Sequence, residues 1–125
     1  MQTADQSILI IEYDAPTREL YVRELTRDYH VLACSEVHEA LALLRTHTID
    51  AIVLEPSRPN GHGWQLFAEI QAANADRSIP IVLCSTLDER SRGAELGVSA
   101  YLVKPVLPKT LLETLHRLLV GQNQP

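Results

Sequence analysis

Five short apolar runs recur along the chain, and segments with helical periodicity separate them. The runs are rich in leucine and β-branched residues and lack polar alternation, which is typical of strands buried on both faces of a parallel sheet. The predicted strands are Ser7–Ile11, His30–Cys34, Asp50–Glu55, Ile79–Cys84 and Ala100–Val103. Strand–helix alternation of this kind predicts an α/β domain with right-handed crossovers and helices on both faces of the sheet.

Local signals mark the ends of two of the predicted helices. Pro16 suits the first turn of the first helix, and Asp14 precedes it as a candidate N-cap. The fourth helix, predicted over Leu87–Leu96, is short and mostly polar, and Gly97 suits the position that follows a helix C-terminus. We therefore expect the first helix to begin at Asp14 and the fourth helix to end before Gly97.

Length and composition limit the protein class. The 125 residues suit one domain, predicted over residues 1–121 with 122–125 as a tail or the start of a linker. The net charge of −5 argues against binding nucleic acid or anionic lipid by charge. The chain has no apolar run near the ~20 residues that span a bilayer, and MQTADQS lacks the features of an export signal. We expect a cytoplasmic domain whose two cysteines, Cys34 and Cys84, are buried thiols too far apart for a disulfide.

Polar side chains stand where the predicted strands end. The first strand is followed by Glu12, Tyr13 and Asp14, while Glu55, Ser85 and Lys104 stand at or just after the ends of the third, fourth and fifth strands. In a doubly wound sheet, function collects at the carboxyl ends of the strands. Carboxylates suit Mg²⁺, and a lysine with a hydroxyl can bind phosphate oxygens. The chain has no phosphate-cradling glycine loop, so nucleotide binding has little support.

Four motifs in fixed order resemble the receiver domain of two-component response regulators. They are ILIIEYDAPTREL, DAIVLEPSRPNGHG with Pro59 and Gly63 in its loop, IPIVLCST, and GVSAYLVKP; the resemblance runs from Ile8 to about Leu119. It implies a flavodoxin-like (βα)5 doubly wound parallel sheet with strand order 2-1-3-4-5. It also implies a signalling module of a phosphorelay, not an enzyme, whose partners are a histidine kinase, an output domain or another signalling protein.

The resemblance assigns roles to five residues at the strand ends. Lys104 corresponds to the lysine that pairs with the acidic site and the phosphoryl group, and Pro105 implies a cis peptide bond before it. Ser85 corresponds to the hydroxyl that binds a phosphoryl oxygen. Tyr101 corresponds to the aromatic residue that changes orientation on activation, and Glu12 to the first acidic residue.

Two departures from the family pattern concern the phosphorylation chemistry itself. Glu55 stands where the family has its phosphoacceptor aspartate, and Tyr13 where it has a second acid that binds Mg²⁺. The extra methylene of glutamate displaces the carboxylate, and a misplacement of about 1 Å can cost roughly 100-fold in rate. Asp14 does not replace the missing acid, because successive strand residues face opposite ways. The sequence thus predicts an atypical, phosphorylation-independent receiver domain with no cofactor. The alternative is a working phosphoacceptor that binds Mg²⁺, with Glu12 and Glu55 as its ligands.

Several alternatives stay open on the sequence alone. Glu55 either mimics a phosphoaspartate or simply pairs with Lys104. Tyr13 either fills the space of an absent Mg²⁺ or forms a contact surface, and burial of the aromatic ring favours the first. Trp64 is expected to pack in the core. The charged residues after the fourth strand are interpreted as a solvated run; they are Asp88, Glu89, Arg90 and Arg92. The alternative is that the surface of the fourth helix, fifth strand and fifth helix forms a partner or homodimer face, as the resemblance to the family suggests.

Overall fold

The computed structural model describes residues 5–56, 63–75 and 77–122. Within these residues five parallel strands form one sheet in the order β2-β1-β3-β4-β5. The strands are β1 Ser7–Ile11, β2 His30–Cys34, β3 Ala51–Leu54, β4 Ile81–Ser85 and β5 Ala100–Val103. The helices are α1 Ala15–Leu25, α2 Val37–Thr46, α3 Gly63–Ala73, α4 Arg90–Glu95 and α5 Pro108–Gln122. The flavodoxin-like fold and its strand order are confirmed. Pro59 lies outside the described residues.

Two apolar layers cover the sheet, one on each face. Alternate residues of β1 point into different layers, since Ile8 and Ile10 pack with α1 and α5, whereas Leu9 and Ile11 pack with α2 and α3. β3 is buried along its whole length, because helices cover both of its faces. This packing explains why its sequence is apolar without alternation.

Two strand boundaries differ from the sequence prediction. β3 begins at Ala51 and not at Asp50, whose carboxylate instead accepts a hydrogen bond from the Ser7 backbone N–H at 2.7 Å. β4 begins at Ile81 and not at Ile79, whose backbone N–H and carbonyl are both bound by the Asn74 side chain. In both cases a side chain binds backbone groups at the point where the strand was predicted to begin. The pattern of apolar residues does not reveal such side-chain hydrogen bonds.

The signals at the helix ends hold for α1 but only in part for α4. Asp14 is the N-cap of α1, and proline occupies its first turn, as predicted. α4 begins at Arg90, three residues later than predicted, because Leu87 is held outside the helix. Its N–H donates to the Ser85 hydroxyl at 3.1 Å, and its carbonyl accepts from the Tyr101 hydroxyl at 2.7 Å.

Gly97 follows α4 with φ = 85°, in the region that side-chain-bearing residues rarely adopt. A Cβ there would meet only the Gln71 amide at 3.9 Å, so the cost of a substitution is one of backbone conformation. We expect Gly97→Ala to lower the free energy of unfolding by about 1 kcal/mol, measured by urea denaturation. Gly97→Asn is the matched control and should cost less, since asparagine tolerates this conformation. Equal losses in both variants would contradict this reason.

The two cysteines are buried free thiols. Cys34 lies on β2 and Cys84 on β4, with β1 and β3 between them. The prediction that they form no disulfide with each other is confirmed. Across residues 5–56, 63–75 and 77–122, no helix combines the length and apolar character needed to cross a membrane.

Candidate functional site at the carboxyl edge of the sheet

Three charged side chains meet at the carboxyl edge of the sheet because each directly follows a strand. The Glu12 N–H donates to the Cys34 carbonyl and the Glu55 N–H to the Ile11 carbonyl, both at 3.0 Å. The Lys104 N–H donates to the Ser85 carbonyl at 2.7 Å. These bonds continue the sheet by one residue beyond β1, β3 and β5. The strand register therefore fixes the backbone positions that carry the three side chains.

Lys104 binds both carboxylates. Its Nζ lies 2.7 Å from Glu12 Oε1 and 2.6 Å from Glu55 Oε1. Both glutamate side chains are 2% exposed, and that of Lys104 is 15% exposed. Two negative charges and one positive charge leave this triad with a net charge of −1. Short charge-assisted hydrogen bonds are the arrangement that makes buried ions tolerable.

The pKa of Lys104 is raised above 10.5. Burial is the largest single influence and lowers this pKa, but hydrogen bonds to Glu12 and Glu55, together with their charges, outweigh it. A raised pKa means that the stabilisation is complete below the ordinary lysine value and is lost as the pH rises through the folded-state value. Lys104 therefore keeps its charge in the triad at neutral pH and loses it in alkali.

Other bonds hold Glu12 in place. Its Oε2 accepts from the Asp14 backbone N–H at 3.1 Å, and its carbonyl accepts from the Arg18 guanidinium at 2.8 Å. Both carboxylate oxygens of Glu12 therefore have a donor, one from Lys104 and one from the backbone. Glu12 is oriented before any ligand arrives.

The predicted acidic pocket of Glu12, Tyr13 and Asp14 is formed by Glu12 alone. Tyr13 is 39% exposed, so the expected burial of its ring is only partial. That it fills the space of a Mg²⁺ ion stays a prediction. Asp14 Oδ2 accepts from the Thr17 hydroxyl at 2.5 Å and from the Thr17 N–H at 3.1 Å. These two bonds, helped by the charge of Lys104, lower the pKa of Asp14. Because capping α1 directs this carboxylate to the helix N-terminus, Asp14 does not join the triad.

Ser85 and Tyr101 both engage the loop between β4 and α4. Ser85 is buried at the end of β4, and its Oγ accepts from the Leu87 N–H. The Tyr101 hydroxyl donates to the Leu87 carbonyl at 2.7 Å and accepts from the Glu89 N–H at 3.2 Å. Ser85, expected to bind a phosphoryl oxygen, and Tyr101, expected to change orientation on activation, thus bind the same loop segment.

Trp64, Glu89 and Arg92 form a contact that sequence reasoning missed. Trp64 packs against the core beside Phe67, as expected, but its Nε1–H also donates to Glu89 Oε1 at 3.0 Å. The Arg92 guanidinium lies 4.5 Å from the centre of the Trp64 ring. The interpretation of Glu89 and Arg92 as part of a solvated run was therefore incomplete. By contrast, the exposed Asp88 and Arg90 side chains pair with each other at 2.6 Å, as charges on a solvated surface do.

A cleft of about 400 Å³ opens beside Lys104 between α1 and the segment after β5. Besides Lys104 and Pro105 its lining includes Thr17, Tyr21 and Thr86. The Lys104–Pro105 peptide bond is cis, as the resemblance implies. Lys104 therefore borders a space large enough for small reagents.

The donor set of the site does not suit Mg²⁺. Among the residues that the structure describes, no three His, Cys, Asp or Glu side chains are grouped so that they could hold a metal ion. Both carboxylates of the triad are bound to the Lys104 ammonium, whose charge repels a dication. Tyr13 contributes no carboxylate at the position next to Glu12.

Comparison with known proteins decides the family. The sequence model of the response regulator receiver domain matches residues 8–116. The chain belongs to the response regulator receiver domain family. Receiver domains are signalling domains of two-component systems that interact with kinases and output domains. The match covers β1 except for Ser7, all elements from α1 to β5, and the first nine of the fifteen residues of α5.

Curated relatives agree with this assignment. The receiver domain is 30% identical over 109 residues to the phosphate regulon transcriptional regulatory protein PhoB of Escherichia coli, covering 84% of this chain and 48% of PhoB. It is 29% identical over 123 residues to the probable transcriptional regulator ycf27 of Guillardia theta, covering 95% of this chain and 47% of that protein. The chain thus spans about half the length of these relatives.

Solved structures agree as well. The non-phosphorylated HemR receiver domain of Leptospira biflexa is 29% identical with a TM-score of 0.79, covering 96% of this chain and 98% of that one. A two-component response regulator of Clostridium difficile has a TM-score of 0.83 at 24% identity, covering 95% and 99% of the two chains, which supports the fold alone.

Proposed function

We propose that this receiver domain signals by protein–protein contact without phosphorylation of an aspartate. The observation that carries the proposal is the position of Lys104, held at 2.6 Å by the glutamate that stands at the phosphoacceptor position. By the resemblance, this lysine is the group that an incoming phosphoryl must engage. Here that lysine is paired with Glu55, whose side chain is one methylene longer than that of the family's aspartate.

Glu55 gives the site a permanent acidic contact to Lys104. A carboxylate has one charge and two oxygens, whereas a phosphoryl group carries nearly two charges and three oxygens. The Glu55–Lys104 contact therefore reproduces part of the charge pattern of a phosphorylated site. This supports a domain whose signalling state does not depend on phosphorylation by a kinase.

The second candidate function is a working phosphoacceptor that is phosphorylated by a histidine kinase with Mg²⁺. Two retained features favour it: the buried Ser85 hydroxyl and Lys104. In that case Glu55 would be the phosphoacceptor, with Glu12 beside it. The two candidates differ in one measurable event, the formation of an acyl phosphate.

The test exposes the unmodified protein to acetyl phosphate and Mg²⁺, and in a second sample to beryllium fluoride and Mg²⁺. We expect no phosphoryl mass increment and no saturable change in the backbone amide NMR signals of Glu55, Ser85 and Tyr101. A stable adduct on Glu55 that hydroxylamine removes would overturn the proposal in favour of the second candidate.

The partner is a protein in this proposal: a kinase, an output domain or another signalling protein. The net charge of −5 supports this class over direct nucleic-acid binding. A homodimer through α4, β5 and α5 is the form of self-association that the resemblance suggests, and sedimentation over a range of concentrations tests it.

A further inference from the structure

Three side chains join α3 to the start of α4 and are called the α3–α4 latch: Trp64, Glu89 and Arg92. Glu89 accepts the Trp64 indole N–H at 3.0 Å with one carboxylate oxygen and faces Arg92 at 3.6 Å with the other. Arg92 in turn lies over the Trp64 ring at 4.5 Å. Each member touches the other two. The hydrogen bond, ion pair and cation–π contact therefore depend on one another.

The latch matters because α4 cannot hold its own position. It has six residues, and the N-cap residue Glu89 makes no side-chain capping bond to it. Helices this short are not stable without tertiary contacts. The other end of α4 is also tied to α3, since the Gln71 side chain donates to the Leu96 carbonyl at 2.7 Å. Side chains of α3 thus fix both ends of α4.

Glu89 also connects the latch to Tyr101. Its carboxylate binds Trp64, while its backbone N–H donates to the Tyr101 hydroxyl. The Tyr101 ring lies so close to α4 that a Cβ on Gly93 would meet its Cδ2 at 2.7 Å. Only glycine at position 93 allows the ring this place. The arrangement of the ring and the position of α4 are therefore coupled through two neighbouring contacts.

We propose that the α3–α4 latch holds α4 and the Tyr101 ring in one arrangement without a phosphoryl signal. Independence from a phosphoryl signal rests on the proposed function, whereas the mechanical coupling of Trp64, Glu89 and Tyr101 does not. The device is thus a conformational lock between α3 and β5, built from residues that lie outside the Lys104 triad.

The test compares Glu89→Ala with two matched variants by NMR. Glu89→Ala removes both carboxylate contacts, whereas Glu89→Gln keeps an acceptor for the Trp64 indole and loses the charge. Asp88→Ala removes a neighbouring charge, whose carboxylate binds the Arg90 guanidinium and accepts from the Arg90 backbone N–H at 3.5 Å. In Glu89→Ala we expect the indole N–H signal of Trp64 to shift, and the Gly93 and Leu96 amides to exchange about tenfold faster. Glu89→Gln should show a smaller change, and Asp88→Ala should leave the Trp64 indole signal in place because Trp64 is bound by Glu89. The amides of β1 and β3 should keep their exchange rates in all three.

A second variant acts on the ring with the latch residues intact. Gly93→Ala must displace the Tyr101 ring, and we expect the Trp64 indole signal to respond through Glu89. The lock would be overturned if the α4 amides exchanged at unchanged rates in Glu89→Ala. It would also be overturned if the Trp64 indole signal did not shift in Gly93→Ala. No phosphoryl donor enters either experiment. The two tests therefore report on different properties. A domain that is phosphorylated could still contain the latch, and a domain that is not phosphorylated could lack it.

Discussion

Lys104→Met is expected to destabilise the domain by about 3–5 kcal/mol at neutral pH. The substitution removes the ammonium that lies within 2.7 Å of two carboxylates, each of them 2% exposed. Glu12 and Glu55 would then be buried like charges with no cation between them. Repulsion and burial both favour protonation, so at least one glutamate pKa would rise in the folded state.

The pH dependence identifies this cause. A carboxyl pKa that is raised on folding gives stability that is complete below the unfolded value of about 4.3 and is lost as the pH rises through the folded-state value. Lys104→Met should therefore be closest to the unmodified protein in mild acid and weakest at neutral pH. Urea denaturation at about pH 5 and pH 8 measures both ends of this range, which brackets the expected folded-state pKa.

Two further variants complete the experiment. Lys109→Met removes an exposed lysine and should change the free energy of unfolding by less than about 0.5 kcal/mol at either pH. Glu55→Leu in the Lys104→Met background removes one of the two like charges and should recover part of the loss, because an apolar replacement of a buried ion is often tolerated. A loss in Lys104→Met that is the same at both pH values would mean that lost packing, not charge, causes it.

The fold and the centre of the site were predictable because strand order and strand ends are set by patterns along the chain. Apolar runs located all five strands to within two residues, and the residues that follow β1, β3 and β5 meet at one edge. The resemblance supplied the strand order. In a parallel sheet the register leaves little freedom to a residue one step beyond a strand, so Glu12, Glu55 and Lys104 converge.

The directions of Tyr13 and Asp14 were not predictable in the same way. Both lie in the turn between β1 and α1, where local contacts decide the orientation of each side chain. Asp14 binds Thr17 because a helix N-terminus attracts a carboxylate, and this bond turns it away from the triad. Tyr13 then faces solvent although the neighbouring strand is buried.

The α3–α4 latch left no pattern in the sequence at all. Trp64 and Glu89 are 25 residues apart, and neither the spacing nor the composition between them signals a contact. The shorter α4 is a related case, since its first turn is lost to bonds from Ser85 and Tyr101, which lie on two other elements. Contacts between loops and distant side chains are decided by the assembled fold, which is why the latch emerged only from the structure.

Tyr13→Asp combined with Glu55→Asp is expected to create a Mg²⁺ site and an aspartate that accepts a phosphoryl group. The first change supplies the carboxylate that the resemblance places next to Glu12, and Tyr13 is exposed enough to be replaced without loss of core packing. The second change shortens the side chain that reaches Lys104. Three carboxylates at one edge form a donor set that Mg²⁺ prefers. The fluorescence of Trp64 should then respond to Mg²⁺ with saturation.

Phosphoryl transfer to this double variant is measured with acetyl phosphate. A carboxylate oxygen of the aspartate introduced by Glu55→Asp would bond to phosphorus as acetate leaves, so the reaction needs no other reactant. Because about 1 Å of misplacement can cost roughly 100-fold, we expect acyl phosphate to form at least about 100 times faster than in the unmodified protein. Tyr13→Asn with Glu55→Asp is the control of equal shape without the added charge and should bind Mg²⁺ weakly.

The single variants separate the two defects. If Glu55→Asp alone restores labelling, the length of the acceptor side chain is the whole defect and Tyr13 is incidental to it. If both changes are needed, the site lost its metal donors and its acceptor geometry together, as the Lys104-centred triad suggests. A double variant that still ignores Mg²⁺ would contradict the alignment of Tyr13 with the family's second acid.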